Sequence, residues 1–448
     1  MKNNNILIKN ILIINENQKF HSDVLIKNGR FEKIEKNISN NNNYEEINGE
    51  GKMLIPGVID NQVHFREPGL THKANIYTES RAAAAGGVTS FMEMPNTNPP
   101  TITKERLEEK FDIAKKHSLV NHSFFLGAAN NNIEEVLQAN SYKKDVAGIK
   151  IFMGSSTGNM LVDDYNTLIE IFSKSELLIA THCEDENTIK ENQKKYPHAN
   201  NASFHPLIRN DEACYKSSMF AVQLAQKYNS RLHILHISTK KELPLFGNLI
   251  PLEEKRITSE VCVHHLHFSA ADYAEKGTLI QCNPAIKSIE DREALWKALL
   301  NDSLDIIATD HAPHTWEEKQ QEYPNSPSGL PLVQHSLLLM LEYAKKGKIS
   351  YEKIVDKMCH APAICYKIKD RGYIREGFWA DCVIVDKEKS FTITKDNILY
   401  KCNWSPLENT IFSHSIDSTF VNGALVYKQG EIIESSLGAS QRLIFDRI

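Results

Sequence analysis

Three things are missing from this chain. No two of its eight cysteines stand in CxxC spacing, no apolar run approaches a membrane span, and neither charge sign dominates. Eight thiols over 448 residues are too sparse for a disulfide scaffold and wrongly spaced for a zinc ribbon. Small buried apolar residues in a reducing compartment are the expected reading of Cys183, Cys214, Cys262, Cys282, Cys359, Cys365, Cys382 and Cys402. Residues 1–20 alternate apolar side chains with Asn and Lys, so no continuous signal-peptide core is expected there. With no stretch near the roughly 18 apolar residues of a transmembrane helix, the expected location is the cytoplasm. A net charge of −5 lacks the basic surplus of a general nucleic-acid or acidic-membrane binder.

What is present is material for a large core: 41% hydrophobic against 24% charged residues, which excludes whole-chain disorder, collagen and coiled coil. Length alone suggests roughly three domains at about 150 residues each, although α/β barrels exceed that size in one unit. Both ends read as β-structure. Apolar runs flank Asn28-Gly29 near the start and Asn422-Gly423 near the end, and both dipeptides are strong two-residue hairpin signals. Residues 381–386 form another buried-strand run. An isolated hairpin is marginally stable, so these segments predict one small β-sandwich domain assembled from both termini. The Asn40–Asn43 run reads as a surface loop.

Between the ends, short apolar runs alternate with helical stretches such as 104–116, 211–228 and 291–300. Candidate strands end near His64, Pro95, Gly127, Met153, His182, His236, Val263 and Asp310. Eight strand–helix units over this length predict an α/β fold, a (β/α)₈ barrel whose site lies at the C-terminal strand ends. The expected division is 1–53 and 366–448 for the sandwich and 54–365 for the barrel.

His64, Asn96, Lys150, His182, His236 and Asp310 each close a candidate strand. Singly, each has a mundane role, as a boundary hydrogen-bonder or a helix cap. Together, three histidines, an aspartate and an odd lysine at one barrel mouth point to metal. Lys150 sits among apolar neighbours, and a buried unpaired ammonium needs a partner or a chemical modification. His233 and His236 are three apart, so on a regular strand they face opposite ways. The expectation is that His236 points inward and His233 packs outside. Residues 62 and 64 share a face and suit an H-x-H chelate, but here the run is Gln62-Val63-His64. His264, His265 and His267 crowd the end of the seventh strand and are read as structural or ligand-supporting.

These segments carry a resemblance. Residues 56–69, PGVIDNQVHFREPG, are similar to the opening metal motif of the amidohydrolase superfamily, and specifically of the dihydroorotases. Glu93-Met-Pro-Asn-Thr97, Cys282-Asn-Pro284, Ala308-Thr-Asp-His-Ala-Pro-His314 and Trp404-Ser-Pro406 resemble dihydroorotase segments in the same order, across essentially the whole chain.

The resemblance implies a zinc-dependent barrel that interconverts N-carbamoyl-L-aspartate and dihydroorotate in pyrimidine biosynthesis. It implies one or two zinc ions, with Lys150 N-carboxylated as a bridge, His182 and His236 on one ion, and His64 and Asp310 on the other. It makes Asp310 the proton carrier, gives the substrate carboxylate to Arg66, Asn96 and His314 with Asn283 nearby, and brings residues 327–331 toward the ring. Gln62 departs from the family's first histidine, and an amide oxygen suits zinc less well than imidazole. Two alternatives stand beside this. One is a hydantoinase- or allantoinase-type enzyme; the other is a non-catalytic dihydroorotase-like subunit, which Gln62 alone favours. For partners, the reading has a small-molecule substrate, admits a homodimer and an association with aspartate transcarbamoylase, and excludes nucleic acid and membrane.

Overall fold

The computed structural model describes residues 5–41, 44–154 and 160–447. Asn42 and Asn43 of the asparagine run lie outside them. The N-terminal stretch forms β1 (Ile6–Asn15), β2 (Gln18–Lys27), β3 (Arg30–Glu35), β4 (Glu45–Asn48) and β5 (Lys52–Pro56). The barrel strands follow: β6 (Val58–Val63), β7 (Val88–Glu93), β8 (Asn121–Gly127), β9 (Gly148–Phe152), β10 (Ile179–His182), β11 (Leu232–Ile234), β12 (Ile257–Cys262) and β13 (Ile306–Ala308). The C-terminal part adds β14 (Cys382–Asp386), β15 (Phe391–Thr392), β16 (Ile411–Phe412), β17 (Ser415–Val421), β18 (Ala424–Lys428) and β19 (Glu431–Ile432).

Chemistry local to each turn builds the sandwich. Asn28 and Gly29 (φ 52° and 79°) and Asn422 and Gly423 (φ 49° and 73°) take the left-handed backbone that a type I′ hairpin demands. The two turns, one from each end of the chain, then pack against each other. A Cβ on Gly423 would stand 2.8 Å from Gly29 Cα, so only glycine permits the approach. The ends are joined where β14 runs antiparallel to β5, with Cys382 opposite Pro56. The result is a nine-stranded sheet in the order β19-β18-β17-β14-β5-β1-β2-β3, with β4 on β1. Ile8, Ile13, Val24, Phe31, Leu54 and Ile384 are among the side chains of its own core.

β6 to β13 are parallel and neighbour one another in sequence order. A parallel bridge from Val63 to His311, with His64 N–H donating to the His311 carbonyl at 2.7 Å, links the first strand to the segment after the last. This is the (β/α)₈ barrel, and each expected strand end falls within two residues of the observed one. Helices start where short polar side chains cap them: Asn75 before Ile76–Ala85, Thr103 before Lys104–His117 and Ser288 before Ile289–Leu300. The Ser288 capping box, closed by Asp291, starts the last of these two residues earlier than the apolar pattern suggests.

The larger apolar core lies between strands and helices. A second cluster, including Ile59, Met92, Phe125, Ala180, Leu235 and Ile306, comes from the other strand face and fills the barrel's interior. Below it, Arg447 donates to the carbonyls of Val146 (2.7 Å) and Ala147 (2.6 Å), tying the chain's last described residue to the base of β9. All eight cysteines are unpaired and buried. Among the described residues, no helix is long and apolar enough to cross a membrane.

Candidate functional site

The C-terminal strand ends hold the candidate site side chains, and the interior beneath them combines the apolar cluster with a buried polar network around Glu260. Three of these residues leave the strands on a left-handed backbone: Arg66 (φ 67°), His236 (φ 42°) and Asp310 (φ 47°). Such a conformation costs a non-glycine residue of the order of 1–3 kcal/mol, and it re-aims the side chain away from regular alternation. That effect corrects the expectation for His233. His233 is fully buried, 2.8 Å from Thr258 Oγ1 and 2.9 Å from Glu260 Oε2, and Asn61 also donates to Glu260. β6 and β12 are separated by β13, so this contact crosses the barrel interior. The left-handed turn at His236 lets both histidines point inward.

The metal-type donors gather in two groups. His182 Nδ1 and His236 Nε2 are 3.0 Å apart, their rings T-shaped at 4.8 Å. The far nitrogens, His182 Nε2 and His236 Nδ1, are buried and make no hydrogen bond. His182 Nε2 is 3.1 Å from the Glu184 carboxylate, but out of line for a bond. In the second group, Asp310 Oδ1 lies 3.1 Å from both His64 Nε2 and Gln62 Nε2, and His64 Nδ1 is 2.8 Å from Asn96 Oδ1. Burial lowers the pKa of His64, His182 and His236, which keeps imidazole lone pairs available.

Lys150, on β9, is 1% exposed. Among the described residues its ammonium has no hydrogen bond or ion pair, and it lies 4.4 Å from the Phe152 ring centroid. Burial pushes its pKa down to about 7. Unpaired nitrogens on neutral imidazoles, a carboxylate and a half-neutral amine form a donor set that suits a divalent ion.

Beside this group lie the basic side chains Arg66, Lys73 and His314, the last two next to Glu318. Arg66 is 5% exposed, donates through Nε to the Pro313 carbonyl at 3.0 Å, and sits 3.1 Å from His314 Nε2. Among the described residues it forms no salt bridge, although burial lowers its pKa only to about 10 and it stays cationic at neutral pH. His314 also lies 3.1 Å from Lys73 Nζ, and its carbonyl accepts from Trp404 Nε1 at 2.7 Å. Asn283 Oδ1 lies 3.0 Å from His205 Nε2.

Residues 53–426 match the family described as "Amidohydrolase family". The chain belongs to the amidohydrolase family. Among its relatives is a dihydroorotase of Methanosarcina acetivorans, 31% identical over 96% of this chain and 93% of the relative. Another, from Pyrococcus abyssi, is 33% identical over 87% of each. In fold it is similar to an L-hydantoinase (dihydropyrimidinase) from Arthrobacter aurescens, with TM-score 0.91 and 24% identity over 98% of this chain and 99% of that one. A dihydropyrimidinase from Brevibacillus agri gives TM-score 0.88 and 22% identity over 99% of this chain and all of that one.

Several residues around this amidohydrolase site escaped the sequence reading. Glu184 is fully buried and receives Arg209 Nε at 3.1 Å and an Arg209 terminal nitrogen at 2.7 Å. This charge holds the Glu184 carboxyl below the usual carboxylate range despite burial, and fixes it beside His182. The signal was slight: Glu184 lies two residues beyond His182, past the end of β10. Nothing local points to Arg209, His205 or Lys73. His311, next to Asp310, is taken up by the fold: its Nε2 lies 2.8 Å from buried Glu79, and its Nδ1 accepts from Leu332 and Val333 N–H.

Proposed function

We propose that the protein is a dihydroorotase, interconverting N-carbamoyl-L-aspartate and (S)-dihydroorotate plus water in cytoplasmic pyrimidine biosynthesis. The observation that carries this reading is Arg66: a buried guanidinium without a carboxylate partner among the described residues is poised for an anionic substrate. Dihydroorotate carries the carboxylate that a neutral hydantoin lacks. The archaeal relatives named dihydroorotase point the same way.

In this reading Lys150, His182 and His236 hold one zinc ion, and His64 and Asp310, with Gln62 beside them, hold a second. Zinc bound there supplies Lewis-acid polarisation of the amide carbonyl and a water acidic enough to react near neutral pH. The neutral form of Lys150 would add through Nζ to carbon dioxide and release a proton, replacing an unpaired cation with a carbamate that would serve as a further oxygen ligand beside these histidines. The Glu184–Arg209 pair keeps the His182 ring in place.

Arg66 takes the substrate carboxylate through its planar fork, and His314 and Asn96 fix the other edge of that group. Asn283, held by His205, closes the pocket from the far side. In ring closure Asp310 accepts the proton of the carbamoyl nitrogen on a carboxylate oxygen as that nitrogen attacks the side-chain carboxyl; a carboxyl C–O bond breaks, and the oxygen leaves as water with the proton from Asp310 and one from solvent. In ring opening Asp310 returns the proton to the leaving nitrogen.

A hydantoinase- or allantoinase-type activity is the competing reading, because hydantoinases share this fold. Assays of the zinc-loaded protein on dihydroorotate, hydantoin and allantoin separate the two. Turnover of dihydroorotate with little action on the neutral rings is expected, and the reverse order supports the competitor.

A further inference from the structure

Cys262 ends β12, and His264 and His265 lie in the short helical turn that follows, Val263–His267. All three side chains are buried, and the sulfur and one ring nitrogen of each histidine lie within 4.8 Å of one another. Among the described residues this is the one group of three His, Cys, Asp or Glu side chains to converge so closely. The residues assigned above to the catalytic metals are not part of it.

A packed core histidine ordinarily has its ring nitrogens satisfied. Among the described residues three of the four ring nitrogens make no well-formed hydrogen bond: both of His264, which only approaches the Thr309 backbone, and Nδ1 of His265. The fourth explains the arrangement. His265 Nε2 is 3.0 Å from the Pro284 carbonyl, which can only accept, so Nε2 carries the hydrogen and Nδ1 presents a bare lone pair. A backbone carbonyl that fixes the tautomer of a ligating imidazole is the usual outer support of a metal-bound histidine. Burial lowers the pKa of both rings and keeps them neutral, the ligating form.

We propose that Cys262, His264 and His265 form a further metal site, selective for a soft or borderline divalent ion such as zinc and separate from the His182–His236 centre. Metal–sulfur and metal–nitrogen bonds of about 2.3 and 2.0 Å place one sulfur and two nitrogens roughly 3.3–3.5 Å apart. Side-chain rotation that draws the three atoms in from within 4.8 Å completes the geometry. Binding exchanges the thiol hydrogen for the metal–sulfur bond, and the proton leaves to solvent. The Gln62 amide oxygen, 3.8 Å from the sulfur, is a fourth donor within reach. The site thus borders the catalytic group through Gln62, but uses none of its histidines.

The test reads metal, not turnover. The full chain is stripped with a chelator and titrated with Co²⁺, and with Zn²⁺ in parallel. Wild type is expected to show a thiolate-to-cobalt charge-transfer band in the near ultraviolet. Cys262→Ser and His264→Ala should each lose that band together with about one metal equivalent per chain. His236→Ala should keep the band while losing catalytic-site metal, and Cys359→Ser controls for another buried thiol. Absence of the band in cobalt-saturated wild type overturns the proposal, even if every variant misfolds. So does a Cys262→Ser protein with the wild-type band and metal content. Loss of dihydroorotase activity with the band intact would count against the proposed function and leave this site standing.

Discussion

Gln62 donates its amide hydrogen to Asp310 Oδ1 at 3.1 Å, the same oxygen that His64 Nε2 approaches at 3.1 Å. A second imidazole here would offer a lone pair to a metal; the amide instead ties down the carboxylate. The His64–Asp310 position is thus one strong donor short. In a Cys262→Ser background, which removes the further site, Gln62→His should tighten the weaker catalytic zinc-binding step by about 10-fold or more in a calorimetric titration and leave the His182–His236 step unchanged. Two equally tight catalytic steps in that background, unmoved by the substitution, would refute the idea.

Arg66 makes its contacts through a fork, to Pro313 and toward His314, with the remaining donors left for a ligand. Lysine keeps the charge but loses the planar pair of donors. For Arg66→Lys, KM for dihydroorotate should rise by about 10- to 100-fold with zinc content unchanged. Unaltered saturation kinetics would remove Arg66 from carboxylate binding.

Asp310 presents one carboxylate oxygen to both His64 and Gln62. Asp310→Ala should lower kcat by about 10²- to 10⁴-fold, the usual weight of a positioned proton carrier. Steady-state rates at saturating substrate and zinc decide it, and a loss of only a few-fold assigns the proton to another group.

His122, the second residue of β8, lies among the rings of Phe91, Phe111 and Phe124, its Nδ1 without a hydrogen bond among the described residues. Burial holds its pKa down to about 4. The unfolded chain, with histidine near 6.5, therefore binds more protons between these values, and stability falls as pH drops from about 6.5 to 4. The complete effect of this residue is of the order of 3 kcal/mol. His122→Phe should flatten that part of the denaturation profile between pH 7 and 5; an unchanged slope would show that other groups set it.

How far the fold could be read in advance depends on how local its causes are. Asn28-Gly29 and Asn422-Gly423 announce their turns because the left-handed backbone they need is written in two adjacent residues. The strand ends at His182 and near His64 follow from short apolar runs that stop at polar residues. His233 could not be placed that way, since a left-handed residue at His236 breaks the two-residue period on which the reading rests. The Glu184–Arg209 pair spans 25 residues, and only the folded chain brings it together. His264 and His265 were visible as a cluster, but the Pro284 carbonyl that sets the His265 tautomer comes from another segment.

The central claim is that a buried cationic pocket selects a cyclic amide bearing a carboxylate. Dihydrouracil is dihydroorotate without that group. The most direct measurement is kcat/KM for the two on the same zinc-loaded protein at neutral pH. A preference for dihydroorotate of about 10² or more is expected, since an unpaired buried Arg66 penalises the neutral ring. Equal rates, or a preference for dihydrouracil, would contradict the account and place the protein with the dihydropyrimidinases it resembles in fold.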